Sequence, residues 1–274
     1  MQLTPLCDAL GAEISGLDIA DLTDEQAAEV DRAWAAHGLL VFREQHLTPE
    51  EHIAFAERFA PIDVNRFFTP VSTHPQIAEV RKEPDQQVNI GGGWHTDHSY
   101  DHSPARGSIL VARELPPEGG DTLFAGVAAA LRELPADLAA QIDGRSAVHS
   151  NVHVFGANAN RGDATGRLRN PDGVGESEHP VVIAHPTTGE PQLYVNPGFT
   201  THFTDSTRDE SKPLLDALFT HIVDDRFTYR LRWRPGTVAM WDNRSTWHFA
   251  QNDYQGHRRL MHRITVSGEP LAAA

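Results

Sequence analysis

Helical spacing of apolar positions is confined to a few stretches of this chain. Thr23-Asp24-Glu25-Gln26 has the form of a capping box, in which threonine and glutamine side chains satisfy backbone N–H groups at a helix start. Ala27, Val30, Ala33 and Trp34 then make one apolar stripe that ends near Gly38. Thr48-Pro49-Glu50-Glu51 is a second capping box, with proline at the first helical position, and predicts a helix through Phe59. Further helices are predicted at 125–134 and 213–223; in the latter Leu214, Leu215, Leu218, Phe219 and Ile222 share a face. Leu39 to Phe42 reads as a buried strand. From about residue 90 the texture changes to short runs broken by Gly, Pro and Asp, and strands are predicted at 108–112, 180–185, 192–195, 227–233, 238–241 and 259–267. His185 to Glu190 supplies a turn between two of them. Many short strands with few helices suggest a sandwich or barrel, and the jelly roll is one favoured closure. Residues 156–178 carry almost no apolar side chains, so that stretch reads as a lid or insertion within a single domain spanning 1–274.

Composition removes several classes. Hydrophobic residues are 39% and charged residues 22% of 274, and no run of 18 apolar residues occurs, so a membrane span is not expected. Met1 to Leu10 gives no secretory signal. Cys7 is the one cysteine, which excludes an intrachain disulfide and a thiolate zinc cluster; the expected compartment is the cytoplasm. Acids outnumber bases 38 to 23, a net charge of −15, which argues against general affinity for nucleic acid or an acidic membrane. A small anion can still bind where a few arginines override that field. Lys82 and Lys212 are the only lysines, so arginine carries most of the positive charge.

Sixteen histidines invite a search for metal ligands. The leading candidate is Trp94-His95-Thr96-Asp97, followed far downstream by Trp241-Asp242-Asn243-Arg244 and His248. On a strand, His95 and Asp97 would leave the same face. A third ligand from a distant strand would complete two histidines and a carboxylate, the facial set of non-haem Fe(II) oxygenases, with coordination positions left open. His-x-Asp by itself also describes an ordinary turn pair, and that alternative stays open on this motif alone. If 259–266 is a strand, Arg259, Met261 and Arg263 share one face, with the arginines roughly 13 Å apart at about 3.3 Å per residue. Two separate anions could be held that way; a charged, solvent-facing strand is the alternative.

Taken together, Trp94-His95-Thr96-Asp97, Gly119-Gly120-Asp121-Thr122, Tyr194-Val195-Asn196, Gly198-Phe199-Thr200-Thr201, Trp241-Asp242-Asn243-Arg244, His248 and Arg258-Arg259-Leu260-Met261-His262-Arg263 resemble the taurine dioxygenase (TauD/TfdA) family of Fe(II)- and 2-oxoglutarate-dependent dioxygenases. The resemblance runs over nearly the whole chain. It implies a mainly β fold with flanking helices, a double-stranded β-helix (jelly roll, cupin-like). It also implies His95, Asp97 and His248 as iron ligands, Thr122 and Arg259 for the distal carboxylate of 2-oxoglutarate, and Arg263 for the anionic end of the primary substrate. Trp94 and Trp241 are expected around the metal, although tryptophans beside strands often serve as plain core. The implied reaction consumes O2 and 2-oxoglutarate, releases succinate and CO2, and hydroxylates a small anionic organic substrate, either a carboxylate such as an aryloxyalkanoate or a sulfonate or sulfate ester. Asp97 implies hydroxylation rather than halogenation. Family members are commonly dimers or tetramers, so a homo-oligomer is expected.

The chain departs from taurine-specific members, which place a histidine and a tyrosine in the segment matching Asp63 to Pro70 and an asparagine four positions before the first iron ligand. Here the segment reads Asp63-Val64-Asn65-Arg66-Phe67-Phe68-Thr69-Pro70, and Gly91 takes the asparagine's place. These changes point to a bulkier or aromatic acid, with Phe67 or Phe68 lining its pocket. A taurine or alkylsulfonate dioxygenase proper is the runner-up. A zinc hydrolase with the same ligands leaves Thr122 and Arg259 unexplained, and a non-catalytic jelly-roll metal-binding protein leaves an open-sided site without purpose. His98, His102, His149, His153 and His262 are not expected to be ligands; His98 should face away by strand alternation.

Overall fold

Alternation of side chains along the strands builds the layers of this molecule. The computed structural model describes residues 1–156 and 173–274. Its largest sheet runs in spatial order Gln2–Pro5, Ala12–Ser15, Leu39–Phe42, Val238–Asp242, Gly107–Glu114, Arg259–Val266, His74–Lys82 and Pro70–Val71, with Ile62–Asp63 also paired to Arg259–Val266. A second antiparallel sheet is made of Thr228–Leu231, Thr122–Gly126 and Thr246–Ala250. Two smaller sheets flank it, Glu176–Pro180 with Ser146–Ser150 and Thr200–Phe203, and the hairpin Val182–Ala184 with Pro191–Leu193. This is a jelly roll, as the resemblance implied, although its sheets do not close into a continuous barrel.

Each central strand sends alternate residues to two different cores. Val238 and Met240, with Ile109, Val111, Ile264 and Val266, pack beneath Val30 and Trp34 of helix Asp24–His37 and Phe55 of helix Pro49–Glu57. Ala239 and Trp241, with Leu110 and Met261, face the other way and meet Phe124, Leu231 and Trp233 of the second sheet and its edge. On that sheet's far side Ala125 and Trp247 lie under Leu215, Leu218 and Ile222 of helix Arg208–Ile222. The space between the two sheets is therefore lined from both sides.

Both predicted capping boxes form; the first helix stops at Gly38 with φ 70°, while the second ends at Glu57, short of Phe59. Other boundaries move. A third capping box at Thr207 and Glu210 starts its helix at Arg208, upstream of the expected start, with Pro213 held inside. Ala125 belongs to a strand, not to the predicted helix at 125–134, which shrinks to Val127–Arg132 because Thr122–Gly126 is paired on both edges. The run 180–185 divides at Val181 into strands of different sheets. Of the lid expected at 156–178, residues 157–172 lie outside the described residues, and Glu176–Pro180 is a strand paired with Ser146–Ser150. No helix among the described residues is long and apolar enough to cross a membrane.

Candidate active site

His95 and His248 meet across an isolated antiparallel bridge, in which each backbone N–H donates to the other's carbonyl, at 3.1 and 2.8 Å. The bridge splices residues 94–96, just before a turn at 97–100, onto strand Thr246–Ala250 and sets the two imidazole centroids 4.1 Å apart. Thr96 is turned away, its hydroxyl donating to the Asn243 carbonyl at 2.5 Å, and this returns Asp97 to the side of His95. His95 Nε2 lies 3.8 Å from Asp97 Oδ1, and His248 Nε2 lies 3.8 Å from Asp97 Oδ2. These separations are too long for hydrogen bonds. Two donors each about 2.1 Å from one ion stand about 3 to 4 Å apart, so the three side chains surround a gap of metal size instead of bonding one another. The Gly93 carbonyl, 2.8 Å from His95 Nδ1, can only accept, which leaves Nε2 as the lone-pair donor. Two imidazoles and a carboxylate converging from one side suit ferrous iron, and the donor set fits that ion.

The charge states agree. Burial would raise the Asp97 carboxyl, but the Arg263 guanidinium beside it holds it well below the usual carboxylate range. Burial lowers the pKa of His95, against the pull of Asp97, and pushes that of His248 far down. All three side chains are thus in metal-ligating form near neutral pH. Ser108 Oγ donates to Asp97 Oδ2 at 2.9 Å, and Arg263 Nη1 lies 3.1 and 3.3 Å from the two carboxylate oxygens.

Arg259 and Thr122 approach from opposite sheets. Arg259 is buried, and its Nε and Nη2 have no hydrogen-bond partner among the described residues. Asp121 and Asp253 act on it only through their charge, and a buried guanidinium whose N–H groups go unpaired is costly, so this group is built to receive an anion. Thr122 Oγ1 accepts from Trp233 Nε1 at 3.0 Å, which frees its own O–H to donate. Gly120 makes room: a Cβ there would stand 3.2 Å from Arg259 Cδ and Nε, at a φ of +70°.

Arg263, two positions past Met261, carries the phenyl ring of Phe68 4.5 Å from its guanidinium carbon. Phe67 stacks on Phe155 with centroids 4.0 Å apart. All eight residues singled out in the sequence line one cavity of about 630 Å³: Phe67, Phe68, His95, Asp97, Thr122, His248, Arg259 and Arg263. Trp94 and Trp241 line it too, Trp241 lying 4.7 Å from the His248 ring. The alternative of a solvent-facing arginine strand falls, since Arg259 and Arg263 are both buried; Asp97 does begin a turn, with its carboxylate oxygens 3.8 Å from both imidazoles. His98 lines the same cavity but stands outside the triad, in a turn at a left-handed φ of 59° and not on a strand, with its Nδ1 3.2 Å from Asp63 Oδ2.

The family model described as taurine catabolism dioxygenase TauD, TfdA family matches residues 2–265 of this chain. The chain belongs to that family. An alkylsulfatase of Acinetobacter baylyi is 33% identical, over 100% of this chain and 87% of its own. A (S)-phenoxypropionate/alpha-ketoglutarate-dioxygenase of Sphingobium herbicidovorans is 30% identical, over 98% of this chain and 96% of its own. A crystal structure of a taurine dioxygenase from Burkholderia xenovorans superimposes with a TM-score of 0.83 at 33% identity, covering 99% of this chain and 92% of that one. This TauD/TfdA chain is accordingly a 2-oxoglutarate-dependent dioxygenase.

Three contributors to the TauD/TfdA site escaped the sequence reading. Ser108, inside a strand, carries no motif of its own. Trp233 reads along the chain only as a strand residue. Gly198 stands in a quoted motif without a role: a Cβ there would lie 2.7 Å from the Cβ of His95, so glycine is needed for His95 to sit where it does.

Proposed function

We propose that this dioxygenase hydroxylates a small organic anion with an apolar body, an aryloxyalkanoate or an alkyl sulfate ester in preference to taurine. The supporting observation is one cavity whose wall combines an open-sided His95–Asp97–His248 set, an unpaired buried Arg259, a second arginine at 263 and an aromatic face. When bound, ferrous iron with 2-oxoglutarate and O2 supplies the oxidative decarboxylation that yields succinate and CO2 and puts a hydroxyl on the substrate. The protein's share is placement. His95, Asp97 and His248 hold the metal from one side. Arg259 donates paired N–H groups to the distal carboxylate of 2-oxoglutarate, with the Thr122 hydroxyl adding a third. Arg263 receives the substrate's acid, and Phe67 and Phe68, with Tyr100, Phe155 and Phe199 behind them, take its apolar body and keep water out.

Taurine fits this wall less well. Asp97 is the one acid among the described lining residues, and it is committed to the metal set, so an ammonium group would find no counter-charge. Relatives named for a sulfate ester and a phenoxypropionate agree with that preference. The test is succinate release above the substrate-free background, with Fe(II) and 2-oxoglutarate, across taurine, alkyl sulfates and aryloxyalkanoates. Taurine giving the highest kcat/KM of the panel would reject the substrate reading.

A further inference from the structure

One ion pair and one close histidine–aspartate contact tie the apolar wall of the cavity to the turn at 97–100, which carries Asp97 and follows His95 directly. Arg66 Nη2 donates to both carboxylate oxygens of Asp101, at 2.7 and 2.6 Å, and its guanidinium carbon lies 5.5 Å from the Phe67 ring centre and 5.9 Å from that of Tyr100. His98 Nδ1 lies 3.2 Å from Asp63 Oδ2 and 3.4 Å from Asp101 Oδ2. Asp63 and Arg66 belong to the wall segment; His98 lies in the turn at 97–100 and Asp101 closes it, with Asp101 N–H donating to the His98 carbonyl at 3.0 Å. Between the links, Asn65 Oδ1 accepts from the N–H groups of both Phe67 and Phe68 at 2.9 Å. The backbone leading into the two phenylalanines is therefore held at Asp63, Asn65 and Arg66, and beyond them the Thr69 carbonyl accepts from Glu79 N–H at 2.8 Å.

We propose that the Arg66–Asp101 pair, supported by His98–Asp63, is a positioning latch that fixes the Phe67–Phe68 wall relative to the metal turn and so determines which substrate bodies are accepted. This rests on the reading that the cavity takes an anion with an apolar body. Side-chain exposures of 39% for Arg66 and 24% for Asp101 make the pair a minor contributor to global stability. Its effect is geometric. A substrate tethered only by its acid at Arg263 depends on the wall to aim the reacting C–H bond, and an error of about an ångström in such aim is costly. A very short anion has little contact with the wall to lose.

The test uses Arg66→Ala, Asp101→Asn and the double variant of the full chain, with phenoxyacetate and methyl sulfate as probes. The KM for phenoxyacetate should rise about tenfold in each single variant, with the double variant no worse than the poorer single, because both remove the same contact. The KM values for methyl sulfate and 2-oxoglutarate should stay within about twofold, and Arg66→Lys should recover part of the loss. Amide hydrogen exchange over 63–71 should accelerate about tenfold in both singles while 238–242 is unchanged. Additive singles, unchanged exchange over 63–71, or an equal rise in the KM for 2-oxoglutarate would overturn the latch. If wild type turns over neither probe, the substrate reading falls separately, and the exchange comparison alone decides the latch.

Discussion

Arg263 grips Asp97 through a single nitrogen, Nη1, at 3.1 and 3.3 Å from the two carboxylate oxygens, while its Nε has no partner among the described residues. One guanidinium thus steadies a proposed metal ligand and keeps donors free for a second anion. Arg263→Ala should therefore do two things at once. Metal affinity, read by Mn(II) titration without substrate, should fall about tenfold or more, as is usual when an outer partner of a ligand is lost, and the KM for acidic substrates should rise. Ser108→Ala, which removes the 2.9 Å bond to Asp97 Oδ2, should weaken the metal alone. Unaltered Mn(II) binding in Arg263→Ala would separate the two roles.

Arg259→Met should raise the KM for 2-oxoglutarate by a hundredfold or so, from about 3 kcal/mol of lost charge-assisted hydrogen bonding. Without cosubstrate the same variant should be no less stable than wild type, because it replaces an unpaired buried cation with an apolar chain. The thermal shift that 2-oxoglutarate gives wild type should vanish. A large loss of stability in the cosubstrate-free variant would mean that the guanidinium has a structural partner.

Phe67 and Phe68 are neighbours with different tasks. Phe67, stacked on Phe155 and buried, should cost about 3 kcal/mol of unfolding free energy when changed to alanine. Phe68 over Arg263 should cost little stability, but several-fold in KM for an aromatic acid, in line with a cation–π contact worth about 1 kcal/mol. Urea unfolding and steady-state kinetics on the two variants separate these effects; identical profiles would refute the division.

Gly198→Ala adds one methyl group 2.7 Å from the Cβ of His95. Overpacking of this kind costs about 1 to 3 kcal/mol, and here the strain falls on a proposed ligand. Mn(II) binding should drop although no donor atom has been changed. Full retention of metal stoichiometry and affinity would show that the bridge between His95 and His248 can shift freely.

Acid should destabilise the fold through His52. Burial, with Arg113 and His262 adding to it, pushes its pKa down to about 3 from 6.5. Below pH 6.5 the unfolded chain takes up a proton that the folded chain refuses. Stability is then full above that pH and falls by about 1.4 kcal/mol per pH unit as the solution is acidified toward pH 4. In His52→Leu, urea unfolding between pH 6 and 4.5 should show a slope shallower by about that amount; an unchanged slope would assign the acid limb to other groups.

Features whose cause is local were legible along the chain. Capping boxes at Thr23 and Thr48 fixed two helix starts, because a cap is decided within four residues. Alternation in 259–266 placed Arg259, Met261 and Arg263 on one face, and the ordered motifs carried the family with its jelly roll. Where packing between distant segments decides, the residues were silent. Ala125 read as helix until pairing on both edges of Thr122–Gly126 claimed it for a strand. The bond from Ser108 to Asp97, the fit of Gly198 against His95 and the link from Arg66 to Asp101 each join positions whose neighbours in the chain give no hint of the other. Only the folding of two sheets over a common gap brings such pairs within contact distance, and no spacing rule along the chain encodes a distance across it.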